Sequence, residues 1–197
     1  MMQEKKIERL AIFASGTGSN AEKIITYFAQ NPVIIISLIV CNRPDAGVLE
    51  IARKHGIETL LLEKEKFFRG NAYTQELRDK QIDLIVLAGF LWKIPARLID
   101  AYRGNILNIH PSLLPKYGGK GMYGHFVHEA VIEAGEKETG ITIHLVDEHY
   151  DHGRHLFQAV CPVLQGDTPE TLAARVLRLE HENFPRVIAG FIQAKDS

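Results

Sequence analysis

Two polar side chains close a short apolar run, Asn108 and His110 in Ile106-Leu107-Asn108-Ile109-His110, and the chain turns at once into Pro111-Ser112-Leu113-Leu114-Pro115. Strand side chains alternate between faces, so residues two apart share one face and the amide and the imidazole point the same way. The amide of asparagine and the ring of histidine both donate hydrogen bonds, and two such donors aimed at one point hold a developing oxyanion. In open α/β sheets, ligands gather where the carboxyl ends of strands open into loops. This run ends in such a loop. Taken alone, the pair is equally well read as a polar strand end satisfied by loop backbone.

A second constellation lies at Ser15-Gly16-Thr17-Gly18-Ser19-Asn20-Ala21, between an apolar run and a segment with helical periodicity. Glycines let backbone approach a ligand, and the unpaired N–H groups of a helix start suit an anion, phosphate above all. The spacing nearly matches the dinucleotide pattern G-x-G-x-x-G/A. That reading expects an acid at the end of the second strand for the ribose, where Cys41-Asn42-Arg43 stands instead. NAD is disfavoured and NADP, through Arg43, stays open. No lysine follows the glycines as a Walker loop requires.

A third is His149, His152 and His155 around Asp151. Three imidazoles raise the question of a metal, but a loop running into a strand offers no helical face to gather them, and no metal is expected. Asp151 is the stronger candidate, because a carboxylate near His110 would favour the imidazolium and raise its pKa. Asp147 or Asp151 could equally cap a turn, and spacing does not choose between them.

The elements that must position these groups are read from periodicity. Residues 7–14 read as a strand, and a helix then starts near Ser19 or Asn20 with Ala21, Ile24, Ile25 and Phe28 on one face. Residues 33–41 are nearly all β-branched or apolar, as in a parallel strand buried on both faces. A helix with Val48, Leu49, Ile51 and Ala52, a strand at 58–62, a surface helix within 63–82 starting near Asn71, a strand at 84–88 and a helix to about Tyr102 lead to the strand carrying Asn108. Past Pro115 comes Lys116 to Gly124, rich in glycine and expected to be a flap. A helix through Val127, Ala130, Val131 and Ile132, a strand at 141–146 and a strand from Leu156 to Leu164 come next. The short connection between those last strands makes them antiparallel. A closing helix opens at Thr168 as N-cap with Pro169 behind it. The expected fold class is α/β: a Rossmann-like, open, mostly parallel twisted sheet with helices on both faces and an antiparallel C-terminal strand.

At 197 residues the chain is expected to be a single domain over 1–197, with a phosphate-binding half about 1–104 and a catalytic half about 105–197. Basic and acidic residues number 23 and 24, with no run of either sign, which argues against nucleic acid and anionic membranes as partners. The polar, charged start from Met1 to Arg9 is unlike a signal peptide, and no stretch approaches the ~18 apolar residues of a membrane helix. Cys41 and Cys161 sit in apolar strand-like runs, as buried reduced thiols do. A cytoplasmic monomer or homodimer is the expectation.

Asn108-Ile109-His110-Pro111-Ser112-Leu113-Leu114-Pro115, the Gly18-Ser19-Asn20 loop, the glycine-rich flap and Val146-Asp147-Glu148-x-x-Asp151-x-Gly153 together resemble the folate-dependent phosphoribosylglycinamide formyltransferases, over nearly the whole chain. The resemblance implies transfer of a formyl group from 10-formyltetrahydrofolate, a co-substrate, to the amine of glycinamide ribonucleotide in purine biosynthesis. It implies Asn108, His110 and Asp151 as catalytic residues, and Gly18, Ser19, Asn20 and the ribose-binding Glu180 on the nucleotide substrate. For the folate it implies Arg69, Leu91, Trp92, Lys93 and Ile94, with Asn108 and the loop Asp147, Glu148, His149, Tyr150, Asp151. Two departures from the family pattern stand out: Arg154 where proline usually follows Gly153, and Leu91-Trp92-Lys93-Ile94 in place of a Met-Arg-Ile-Leu type.

Rival readings are a formyltetrahydrofolate hydrolase, another folate-dependent formyltransferase, and an NADP-binding module. A hydrolase is expected to carry a regulatory domain ahead of the first strand, where only a short polar stretch is seen. A methionyl-tRNA formyltransferase is expected to carry a further basic domain.

Overall fold

The computed structural model describes residues 6–195; the polar start read above falls partly on residues 1–5, and the closing helix is followed by 196–197, both outside the described residues. The elements in chain order are β1 (Glu8–Ala14), α1 (Ser19–Phe28), β2 (Ile34–Cys41), α2 (Gly47–His55), β3 (Glu58–Leu61), α3 (Lys64–Arg69), α4 (Ala72–Asp79), β4 (Leu84–Leu87), α5 (Ala96–Ala101), β5 (Ile106–His110), α6 (His125–Glu133), β6 (Glu138–Leu145), β7 (His155–Pro162) and α7 (Pro169–Lys195). The strand order is β3-β2-β1-β4-β5-β6-β7 in one seven-stranded sheet. The chain divides into two compact units, Met1–Ile106 and Leu107–Ser197.

The first unit is the parallel part. β1 pairs in parallel with β2 and β4, and β2 with β3. Leu10, Ala11, Ile12 and Ala14 of β1 are fully buried, as a strand flanked on both edges and covered on both faces must be. β2 departs from the expected burial on both faces: its first half leaves Ile35 exposed, and only Leu38 to Cys41 are wholly buried. The cause is the length of its neighbour, since β3 reaches only Leu38 to Cys41 and leaves the start of β2 as an open edge. α1 begins at Ser19 and buries Ala21, Ile24, Ile25 and Phe28, the expected face. The charged segment 63–82 forms two helices rather than one. Gly70 is extended between them, α3 buries Phe67 and α4 buries Tyr73 and Leu77.

The second unit is antiparallel. β5 pairs with β6 and β6 with β7, so the reversal of direction falls on β6. α7 opens as expected: Thr171 N–H donates to Thr168 Oγ1 at 3.3 Å, and Pro169 occupies the first helical position, where no N–H is missed. Its buried stripe, Leu172, Val176, Phe184, Ile188 and Ile192, recurs at four- and eight-residue steps, the interval at which helix residues share a face.

Candidate active site

The glycine loop of the first unit is built from backbone. Gly18, at φ 82°, is the last residue before α1, and its lack of a side chain leaves the N–H groups of the first turn without a side-chain cap from it. A Cβ at Gly18 would stand 2.8 Å from Cα and Cβ of Val48, so both the left-handed backbone and the close approach of α2 demand glycine. Ser15, buried at the end of β1, braces the loop from behind. Its Oγ donates to Asn42 Oδ1 at 2.6 Å and accepts from the N–H of Leu91 at 2.9 Å. One hydroxyl thereby ties the loop after β1 to the end of β2 and to the stretch after β4.

That stretch holds Leu91, Trp92, Lys93 and Ile94. Trp92 lies within 5.5–6.4 Å, ring to ring, of Phe67, Phe68 and Phe90, an aromatic cluster that fixes the loop against α3. Leu91 stays exposed beside it and Ile94 is buried. Arg69, at the end of α3, forms an exposed i,i+4 ion pair with Glu65.

The side-chain cluster belongs to the second unit. The register of β5 against β6 sets Asn108 opposite His144 and His110 opposite Thr142. Asn108 Nδ2 lies 3.1 Å from His144 Nε2, and His144 Nδ1 lies 2.8 Å from the carbonyl of Leu145. A carbonyl only accepts, so Nδ1 of His144 carries a proton and Nε2 of the neutral ring accepts from Asn108. Thr142 anchors the loop after β5: its hydroxyl donates to Ser112 O and accepts from the N–H of Leu114 and from Gln158 Nε2.

Asp151 reaches this cluster from the loop between β6 and β7. Its Oδ2 stands 3.7 Å from His110 Nδ1, its Oδ1 3.5 Å from His144 Nε2, and Oδ2 also accepts the N–H of Gly119 at 2.9 Å. Asp151 has φ 57°, a left-handed conformation uncommon outside glycine and asparagine. Gly153 forces the turn, because a Cβ there would fall 1.7 Å from Leu145 O. Asp147 does not join the cluster; its Oδ1 caps the turn by accepting the N–H of His149 at 2.8 Å.

Burial dominates the electrostatics of His110, which is 4% exposed, and pushes its pKa below the usual imidazole range. Asp151 and the Tyr117 carbonyl pull the other way, and the neighbouring His144 pushes further down. The upward pull expected of a nearby carboxylate is present, but the net direction is the reverse of the expected rise: desolvation exceeds an ion pair held beyond hydrogen-bond distance. For Asp151, burial pushes the pKa up. The neighbouring His144, the charge of His110 and the Gly119 N–H outweigh it and hold the carboxyl below its ordinary value. The cluster therefore holds a carboxylate beside a histidine that is mostly neutral at neutral pH.

Of the residues singled out from sequence, Asn108, His110 and Asp151 come together, and Gly18, Ser19 and Asn20 form one helix start. Glu180 is buried within α7. Glu148, His149 and Tyr150 are exposed on the loop before Asp151. His149 and His152 rings lie 6.1 Å apart while His155 instead faces His144 at 6.5 Å. No group of three or more metal-ligating side chains is found among the described residues. Sequence reasoning missed His144, Tyr117 and the Gly119 N–H. His144 carried a signal, as the one imidazole in the apolar run that begins Ile141-Thr142-Ile143, on the face opposite Ile143.

A family model described as formyl transferase matches residues 8–188. A phosphoribosylglycinamide formyltransferase of Bacillus subtilis strain 168 is 38% identical over 187 residues, covering 92% of this chain and 93% of its own. The chloroplastic phosphoribosylglycinamide formyltransferase of Arabidopsis thaliana is 41% identical over 198 residues, covering 98% of this chain and 68% of its own. Among solved structures, the phosphoribosylglycinamide formyltransferase of Brucella melitensis superposes with a TM-score of 0.84 at 41% identity, covering 94% of this chain and 96% of its own. The chain belongs to the formyl transferase family, among the phosphoribosylglycinamide formyltransferases.

Proposed function

We propose that this protein moves the formyl group of 10-formyltetrahydrofolate onto the primary amine of glycinamide ribonucleotide, with Asn108, His110 and Asp151 as its catalytic residues. The amine attacks the formyl carbon and a C–N bond forms. The bond from that carbon to N10 of the folate breaks, and the proton lost by the attacking nitrogen ends on N10. Negative charge grows on the formyl oxygen along the way, and a donor that meets it there lowers the barrier. Asn108 donates from its amide. His110 Nε2 is already committed to a backbone carbonyl, so Nδ1 is the nitrogen that serves the reaction.

The observation that carries this reading is the 3.7 Å gap between His110 Nδ1 and Asp151 Oδ2. It is too long for a direct hydrogen bond, and an oxygen lying beside it reaches both groups. A ring that is mostly neutral at rest takes up a solvent proton at Nδ1 as an oxyanion develops next to it and returns it when the carbonyl re-forms, and Asp151 stabilises the imidazolium in between. Asp151, an ionised carboxylate, also carries the proton from the attacking nitrogen towards the leaving one.

The remaining roles rest on the family likeness and on fit. Gly18, Ser19 and Asn20 hold the substrate phosphate at the start of α1, a position suited to an anion, and Glu180 takes the ribose hydroxyls. Leu91, Trp92, Lys93, Ile94 and Arg69, with Asp147, Glu148, His149 and Tyr150, bind the folate; exposed Leu91 beside the aromatic cluster suits its flat rings, and Arg69 its anionic tail. No helix is long and apolar enough to cross a membrane among the described residues.

The test is an absorbance assay with glycinamide ribonucleotide and a 10-formyl folate. Release of deformylated folate that requires the ribonucleotide, and that disappears in His110→Ala, is the expected result. Release without the ribonucleotide would instead make the protein a hydrolase.

A further inference from the structure

Nε2 of His110 lies 2.8 Å from the carbonyl oxygen of Tyr117. Since a carbonyl only accepts, Nε2 must carry the proton, and the neutral ring keeps its lone pair on Nδ1, facing Asp151. The identity of the reactive nitrogen is therefore decided by one backbone carbonyl seven residues downstream, in a segment with little regular structure. Its aim depends on the contacts that fix residues 116–117.

Tyr117 has φ 55°. A bulky residue in the left-handed region persists only where its surroundings over-determine it. Three contacts do so. Ser112 Oγ donates to the Lys116 carbonyl at 2.7 Å, fixing the peptide just before Tyr117. Lys116 Nζ donates to Glu136 Oε1 at 2.8 Å, and the Tyr117 hydroxyl donates to the same oxygen at 2.9 Å. Glu136 lies in the turn between α6 and β6, outside the catalytic cluster, and its carboxyl is held below the ordinary glutamate range by these two donors, Lys116 first.

We propose that Glu136 is a positioning residue: by clasping Lys116 and Tyr117 it aims the Tyr117 carbonyl at His110 Nε2, and so selects the tautomer that turns Nδ1 to the reaction. The inference rests on the formyl-transfer reading for its kinetic consequence but not for its structural one. Without the clasp, residues 116–117 relax from the strained conformation and the carbonyl swings away. His110 then loses the acceptor that fixes its proton. The groups facing this imidazole are Asp151 from the β6–β7 loop, His144 from β6 and, within electrostatic reach, His128 from α6. None of them replaces the acceptor at Nε2.

The experiment pairs steady-state kinetics with 15N NMR of the histidine side chains in the full-length protein, comparing wild type with Glu136→Ala, Glu136→Gln and Tyr117→Phe. In the wild type, His110 should show a protonated Nε2 and an unprotonated Nδ1 above its pKa. In Glu136→Ala and Tyr117→Phe the two shifts should move towards a mixture of tautomers and the His110 pKa should fall, since an acceptor that favours the charged ring is lost. kcat should drop about 10-fold, the scale of one hydrogen bond to a charged group, with both KM values nearly unchanged. Glu136→Gln, which keeps an acceptor for the hydroxyl, should restore much of this. Combining Glu136→Ala with Tyr117→Phe should cost no more than Glu136→Ala alone, because the hydroxyl's contact is already lost with the carboxylate. Wild-type 15N shifts in both single variants would overturn the proposal, even if their melting temperatures fall, since that would be a structural role only. A wild-type protein without formyl transfer whose His110 shifts still move in the variants would refute the assigned reaction and leave the clasp standing.

Discussion

The two functional regions of this protein are made in opposite ways. The glycine loop of the first unit is contiguous, residues 15–20, and what it offers a ligand is backbone N–H groups at the start of α1. The cluster of the second unit draws Asn108, His110, Tyr117, Gly119, His144 and Asp151 from two strands and two loops, and it works through side chains. The first is held by absence of a side chain, at Gly18; the second is held by two residues with side chains in left-handed backbone, Tyr117 and Asp151. A backbone site carries no titratable group of its own, so its geometry is insensitive to pH. A side-chain site built of imidazoles and a carboxylate is sensitive to both substitution and protons. Binding suits the first kind of construction, and chemistry, which must shift charge, needs the second.

The sharpest break between the regions should come from His110→Ala or Asn108→Ala, each lowering kcat by about 100–1000-fold with little change in KM for the ribonucleotide. A turnover close to wild type in either would remove the oxyanion role and reduce the second region to scaffold.

Acid should separate them next. Burial pushes the His128 pKa down to about 4 from 6.5, helped by His125 and His110, and its Nδ1 has no hydrogen-bond partner among the described residues. The unfolded chain takes up this proton near pH 6.5, while the folded one refuses it until about pH 4. Stability is thus fully present above pH 6.5 and declines as the pH falls towards 4, by about 3 kcal/mol for this group. Chemical denaturation across this range should show the slope, and His128→Gln should flatten it. An unchanged slope in that variant would place the acid sensitivity elsewhere.

Gly18→Ala tests the backbone region with a single methyl group. The left-handed φ and the approach of Val48 predict a rise of about 10-fold in KM for the ribonucleotide, from a strain of order ~1–3 kcal/mol, with kcat largely kept. A fall in kcat at constant KM would tie the loop to the chemical step rather than to binding. The smallest effect is expected of Ser15→Ala. Losing the hydroxyl that joins Asn42 and the Leu91 N–H should cost roughly 1 kcal/mol, read as a few-fold rise in KM for both substrates; a change for one alone would show that only one of the two loops depends on it.

The contrast also explains what could be read from the amino-acid order. Local signals carried the first unit: apolar runs gave strands at their right places, and Gly18-Ser19-Asn20 marked a helix start because capping and φ preferences act within a few residues. Even there, the shortness of β3 decided that the start of β2 is exposed. In the second unit, Asn108 and His110 were legible as a pair because strand periodicity is local. His144 was not, because its place opposite Asn108 is a matter of register between β5 and β6. Asp147 and Asp151 were indistinguishable by spacing, and the close packing of Gly153 on Leu145 sends one to the imidazoles and leaves the other capping a turn. The sign of the His110 shift was illegible for the same reason, since proximity of a carboxylate is visible in a motif and the depth of burial is not. By itself the sequence determined the elements, the family and the donors available for the reaction. Only the tertiary structure decided which nitrogen of His110 is tied to a carbonyl, which aspartate stands beside it and how strongly water is excluded, because these depend on distances between residues far apart in the chain.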